Sequence, residues 1–172
     1  MSSDDEEPKT KKVKHSHTDE DDKKKISYET RCQAVNILCH PLASKKSTKK
    51  CHKLVKTIVS SSQNKKKHCL KRGVKEVVKA LRKGHVSKEG RGGLAILAGD
   101  VYPVDVMSHL PILLEDHNCP YLFVPSKHDL GAAAGTKRPT SIVLVSNLTA
   151  KDDGYDLYQS LSNEAKHYEP KS

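Results

Sequence analysis

Apolar residues recur along this chain with two rhythms. Val74, Val77, Val78 and Leu81 fall at i, i+3, i+4 and i+7, the spacing of one buried helix face. Leu54, Val55, Ile58 and Val59 repeat that rhythm one segment earlier, where Ser47 or Thr48 is placed to cap the helix. From Ile26 onward, Cys32, Val35, Leu38 and Cys39 mark another helical face, which Pro41 is expected to close near His40. Three short runs are apolar and suit buried strands: Leu94 to Ala98, Tyr121 to Val124 and Ser141 to Val145. His68 to Leu70 is a shorter strand candidate. Between strands, Pro103 suits the first position of a helix, a further helix is predicted from His109-Leu110-Pro111 to His117, and HDLGAAAG (128–135) predicts a short one. Ser60 to Lys67 reads as a polar loop and VSKEGRGG (86–93) as a flexible connection.

Alternating strands and helices of this kind predict an α/β domain with helices on both faces of the sheet. Residues 1–25 have almost nothing to bury and read as a disordered charged tail; 26–150 form the folded domain. Residues 151–172 form a C-terminal extension in which DLYQSLSNEAKHY has weak helical periodicity. A mean hydropathy of −0.68 over 172 residues agrees with a chain that is only partly core.

The charge distribution changes the picture. Residues 1–25 hold eight acidic and seven basic side chains, and 92–172 hold ten acidic against six basic. Residues 43–91 hold seventeen basic against two acidic, Glu76 and Glu89, a local balance of +15 that exceeds the net +10 of the whole chain. Such self-repulsion is destabilising unless a polyanion offsets it, which makes nucleic acid the leading partner. No membrane partner is expected, because no apolar run reaches transmembrane length and the first 25 residues lack a signal-peptide core. Five cysteines without CxxC spacing suit free thiols in a reducing compartment, where the sequon Asn147-Leu148-Thr149 is irrelevant. KTKKVK in the tail is a short candidate for nuclear localisation.

KRGVKEVVKALRKG (71–84) concentrates the chemistry. Lys75, Lys79 and Arg82 form a basic stripe beside the valine face, and Lys71 and Arg72 flank the helix start. The free N–H groups and positive dipole end there favour phosphate, and Gly73 admits a close backbone. Glu76 is a lone carboxylate among cations, able to accept from base amino and imino groups while the lysines hold phosphates. The bland reading is a solvated helix in which Glu76 pairs with Lys79 or Arg72. GAAAGTK (131–137) has three residues between its glycines where a phosphate-binding loop needs four, so it is read as a close-packing segment followed by a second basic tip, Lys137-Arg138-Pro139. Cys-His neighbours occur at 39–40, 51–52, 68–69 and 117–119, but none has zinc-site spacing, and no nucleophile stands with a base. No metal, cofactor or catalytic residue is therefore assigned. Aromatics make up only 4% of residues, which argues against base-stacking platforms and for backbone clamping, helix-end chemistry and shape.

The motif series PLASKKSTKK (41–50), RGVKEVVKALRKG (72–84), LAILAGDVYPVDVMSHLP (94–111), CPYLFVPSKHDLGAAAG (119–135) and KRP (137–139) resembles the kink-turn RNA-binding family of ribosomal and small nucleolar particle proteins. The resemblance covers about residues 28–147, and Lys75-Glu76 with GAAAGTKRP is most similar to the box H/ACA branch. It implies a three-layer α-β-α sandwich around a small mixed sheet. It also implies RNA contact by Arg72, Gly73, Lys75, Glu76 and Lys79 on the helix and by Thr136, Lys137, Arg138 and Pro139 on the loop before the last strand. Family kink-turn readers have Asn before that Glu, and this chain has Lys75, which only donates and adds charge. Looser shape recognition with a larger electrostatic share is expected. The implied partners are an H/ACA guide RNA, a pseudouridine synthase subunit and a small bridging core protein, in the nucleolus, with no catalysis by this chain.

Overall fold

A computed structural model describes residues 26–62, 69–84, 93–146 and 148–167. The tail 1–25, residue His68 and the connection 85–92 lie outside the described residues, and with them the expectations placed there. Four strands form one mixed sheet: β1 (Leu70–Arg72), β2 (Leu94–Ala98), β3 (Tyr121–Val124) and β4 (Ile142–Val145). Their spatial order is β1-β4-β2-β3, with β2 and β3 parallel and β4 antiparallel to both β1 and β2. The C-terminal ends of β1, β2 and β3 therefore share one sheet end with the N-terminal end of β4.

Every residue of β2 and β4 is buried, which requires cover on both sheet faces and explains why these strands read as continuous apolar runs. Ile96, Leu97, Ile142 and Leu144 are fully buried, each contributing about 1.5–3 kcal/mol. The described residues also form six helices: α1 (Tyr28–Cys32), α2 (Lys45–Ser62), α3 (Val74–Arg82), α4 (Asp105–Asp116), α5 (Lys127–Ala133) and α6 (Tyr155–His167). Helix α2 packs against α5 and α6, and α3 packs against β1 and β4. Leu161 and Ala165 of α6 enter the common core. The three-layer α-β-α sandwich around a small mixed sheet is the observed fold.

Local expectations fared unevenly. The first helix stops at Cys32 rather than near His40, and Ile37 and Leu38 are 86% and 69% exposed. The Asn36 N–H donates to the Gly99 carbonyl at 2.9 Å, and the Asn36 side chain accepts from the Leu38 N–H at 3.0 Å. These bonds offer the backbone an alternative to the helix and drape it over the end of β2. Helix α2 begins before the expected cap: Ser44 accepts from the Ser47 N–H at 3.2 Å, and Ser47 and Thr48 are buried inside the first turn. The helix continues to Ser62, through part of the predicted polar loop. Between β2 and β3 there is one helix where two were expected. Pro103 precedes it, and Pro111 sits inside it at the cost of one backbone bond, because Met107, Leu110 and Leu114 form an unbroken buried face.

His52 on α2 is mostly buried, and its Nε2 is sealed from solvent without a hydrogen-bond partner. Burial, reinforced by Lys56 and Arg31, lowers its pKa from 6.5 to about 4. The folded value lies below the unfolded one, so protonation favours the unfolded chain. This contribution to stability is complete above pH 6.5 and is lost as pH falls towards 4, amounting to about 3 kcal/mol. Denaturant unfolding followed from pH 7 to 4 is expected to lose that increment in the wild type, whereas His52→Gln, which has no imidazole to protonate, should show a pH profile flatter by that amount. Parallel pH profiles would return His52 to a bystander.

Candidate nucleic-acid interface

The sheet end shared by the end of β1 and the start of β4 brings the two predicted segments together. Antiparallel pairing sets Arg72 opposite Val143, and the Gly73 N–H donates to the Ile142 carbonyl at 2.9 Å. Helix α3 therefore starts where the loop 136–141 delivers the chain into β4. Gly73 is its N-cap, with φ 82° and ψ 155°, a conformation essentially reserved for glycine. A Cβ built there would meet nothing within 4 Å, so the requirement is conformational and the space above the helix start is open.

A side chain fastens the two segments. Arg72 Nη1 donates to the Ala134 carbonyl at 2.7 Å, tying the start of α3 to the turn that follows α5. Glu76 Oε2 accepts from the Arg72 N–H at 3.3 Å, folding one carboxylate back over the helix start in the manner of a capping box. Neither predicted ion-pair geometry for Glu76 is the bond observed.

The loop has its own support. Thr136 Oγ1 lies 2.8 Å from the Arg138 carbonyl and 3.1 Å from that of Gly131, so its single proton serves one of them at a time. The Thr136 N–H also donates to the Gly131 carbonyl at 3.0 Å. A Cβ on Gly131 would stand 2.3 Å from the Arg138 carbonyl oxygen, so the loop lies directly on the helix at a place only glycine allows. Lys137, Arg138 and Pro139 project from it, exposed.

Lys71, Glu76 and Lys79 line a hollow of about 270 Å³ together with Lys83. Lys83, the residue four beyond Lys79, was absent from the predicted set although its i+4 spacing points to the same place. Lys75 is exposed on the neighbouring stripe. Arg82 is not among the residues that line this hollow, although Lys83 beside it is. The assembled surface thus offers lysine ammonium groups, one carboxylate and a helix start, and the Arg72 bond to Ala134 ties that helix start to the chain that leads into the loop bearing Lys137 and Arg138.

No described group of three His, Cys, Asp or Glu side chains is placed to hold a metal, and no described helix is long and apolar enough to cross a membrane. All five cysteines are free thiols. Burial, with Glu164 nearby, pushes the Cys51 thiol up to about 12, so it is a core residue rather than a nucleophile.

Fold and interface define an α-β-α module that presents a glycine-started basic helix beside a short basic loop. The chain belongs to the ribosomal protein L7Ae/L30e/S12e/Gadd45 family, whose profile matches residues 53–154. It is 43% identical over 122 residues to a protein of Bos taurus named H/ACA ribonucleoprotein complex subunit 2, covering 71% of this chain and 72% of that one. An Arabidopsis thaliana protein named H/ACA ribonucleoprotein complex subunit 2-like protein is 44% identical over 138 residues, 79% of this chain and 81% of its own. Among solved structures, the Giardia lamblia 15.5kD RNA binding protein superposes with a TM-score of 0.64 at 25% identity, covering 78% of this chain and 99% of its own.

Proposed function

We propose that this chain is a non-catalytic RNA-binding subunit of the box H/ACA small nucleolar ribonucleoprotein. The observation that supports this reading is the Arg72 to Ala134 tie between the start of α3 and the chain entering the loop 136–139, which we read as two jaws for one RNA bulge. The names carried by its relatives, at 43% and 44% identity over most of both chains, select the H/ACA particle among the assemblies that use this fold. In that particle a guide RNA selects the uridine, and a separate pseudouridine synthase subunit performs the chemistry, reached through a small bridging core protein. The chain acts in the nucleolus, in ribosomal RNA processing and ribosome biogenesis, and the same particle class extends the role to telomerase RNA.

In this reading Glu76 meets base edges of the bulge while Lys71, Lys75 and Lys79 on one jaw and Lys137 and Arg138 on the other meet phosphates. Gly73 and Pro139 let the RNA backbone approach, Thr136 holds the loop's shape, and Arg82 contacts flanking phosphate from the far end of α3. The runner-up is a box C/D or ribosomal kink-turn protein, against which Lys75 weighs because an ammonium cannot accept a hydrogen bond from a base.

Sequencing the RNAs that co-purify with the tagged chain after ultraviolet crosslinking tests the proposal. Enrichment of H/ACA guide RNAs is the expected result. Enrichment of box C/D or ribosomal RNA alone would move the chain to the runner-up class. An absence of RNA above background would leave a protein-interaction module on the same fold.

A further inference from the structure

Helix α2 carries a second basic surface, separate from the start of α3. Its first turn holds no acidic residue, and Lys45, Lys46, Lys49 and Lys50 stand in its N-terminal half, the sign of charge that the helix dipole disfavours. Among the described ion pairs, Lys45 is the one of these lysines that pairs with a carboxylate, that of Glu29. Further along, Lys49, Lys53 and Lys56 line an open groove of about 710 Å³ with Ser60. No carboxylate of the described residues forms an ion pair with these three lysines. The one acid in the described lining, Asp153, accepts a hydrogen bond from Ser61 at 3.1 Å. Three ammonium groups on one helix face, none of them neutralised by a described carboxylate, call for a polyanion.

The far end of the groove also lies one residue from a contact with the chain that leads into the proposed interface. Val59, the residue before Ser60, lies so close to Gly135 that a Cβ there would be 3.1 Å from Val59 Cγ1, and Gly135 leads directly into the loop 136–139. From Ser60 back to Lys49 the helix runs eleven residues, about 16 Å.

We infer that the α2 groove grips the phosphate backbone of the RNA segment flanking the one held between α3 and the loop. This rests on the RNA-binding reading above and adds to it a second, sequence-independent contact track. The chemistry favours RNA over an acidic protein. Besides Asp153 and the mostly buried His52, the described lining offers lysines and hydroxyl-bearing residues but no leucine, phenylalanine or tyrosine to anchor a protein partner, and lysine is depleted from the centres of protein interfaces. With no phenylalanine, tyrosine or tryptophan in the described lining, and with its one imidazole, His52, mostly buried, the contact is to backbone.

The test uses the full chain and two RNAs: a short bulged stem that fills only the α3-loop site, and the same stem lengthened on both sides. Lys49, Lys53 and Lys56 are exposed, so Lys49→Ala/Lys53→Ala/Lys56→Ala retains the fold, which the thermal midpoint verifies. On the long RNA this variant is expected to reduce the slope of log affinity against log salt by roughly 0.7 to 0.9 per lysine engaged, about 2 in all, and to leave the short RNA unaffected. An unchanged slope on the long RNA would overturn the inference, as would equal losses on both RNAs, which would signify only a diffuse basic field. Lys75→Ala/Lys79→Ala separates this from the parent reading. If that variant loses affinity for both RNAs while the α2 variant loses none, the groove fails and the interface stands. If wild-type protein binds neither RNA, both fail together.

Discussion

Replacing Gly131 with alanine is expected to destabilise the protein by about 1–3 kcal/mol and to lower RNA affinity at least tenfold. The sign is informative because helix propensity predicts the reverse. Gly131 lies inside α5, where Gly→Ala ordinarily stabilises by about 1 kcal/mol. The new methyl group, however, would sit 2.3 Å from the Arg138 carbonyl oxygen, a backbone atom with no rotamer to change. Restoring an ordinary contact requires the loop to lift by about 1 Å, which breaks the bonds from Thr136 to the Gly131 and Arg138 carbonyls and moves Lys137 and Arg138 away from α3. Chemical denaturation and filter binding on the same preparation measure both effects. Ala132→Ser, on the exposed side of the same helix, serves as the control and should change neither. A stabilised Gly131→Ala variant with full RNA affinity would show that the loop does not need its seat on α5.

The same residue shows how far the sequence could be read. GAAAG is legible as a close-packing segment because it fails the phosphate-loop spacing, yet nothing local says that the partner is the carbonyl of Arg138. Burial on both faces made β2, β3 and β4 legible, since a strand covered twice must be apolar throughout. The valine stripe and Gly73 fixed α3 for the same reason: period and cap agree. What escaped was decided at long range. The Arg72 bond to Ala134 joins residues sixty-two positions apart, and the early end of α1 depends on Gly99, sixty-three residues beyond Asn36. Pro111 misled because a proline is a local signal, while the buried face of Met107, Leu110 and Leu114 that carries the helix through it is a tertiary one. Lys83 was overlooked beyond the end of the basic stripe at Arg82, although it closes the hollow around Lys79.

Lys75 and Lys79 divide the proposed interface between charge and shape. Neither is among the described ion pairs, and both are exposed, so Lys75→Ala/Lys79→Ala should leave the fold intact. Each phosphate contact removed is expected to reduce the slope of log affinity against log salt by roughly 0.7 to 0.9. Loss of two such contacts lowers affinity by more at 50 mM than at 200 mM salt, and titrations at four salt concentrations resolve the slope. An unchanged slope would assign both lysines to a solvated face. Lys75→Asn then asks a sharper question than the double alanine change. It removes one positive charge but restores a side chain that both donates and accepts, seated one residue before Glu76 at the helix start. If Lys75 trades shape recognition for electrostatic grip, this variant binds a straight duplex more weakly than the wild type and discriminates a bulged stem from that duplex more strongly. The slope should fall by about one contact while the discrimination ratio rises. A falling slope with no gain in discrimination would mean that Glu76, held by the Arg72 N–H, does not reach the base edges. The specificity of the particle would then reside in its other subunits.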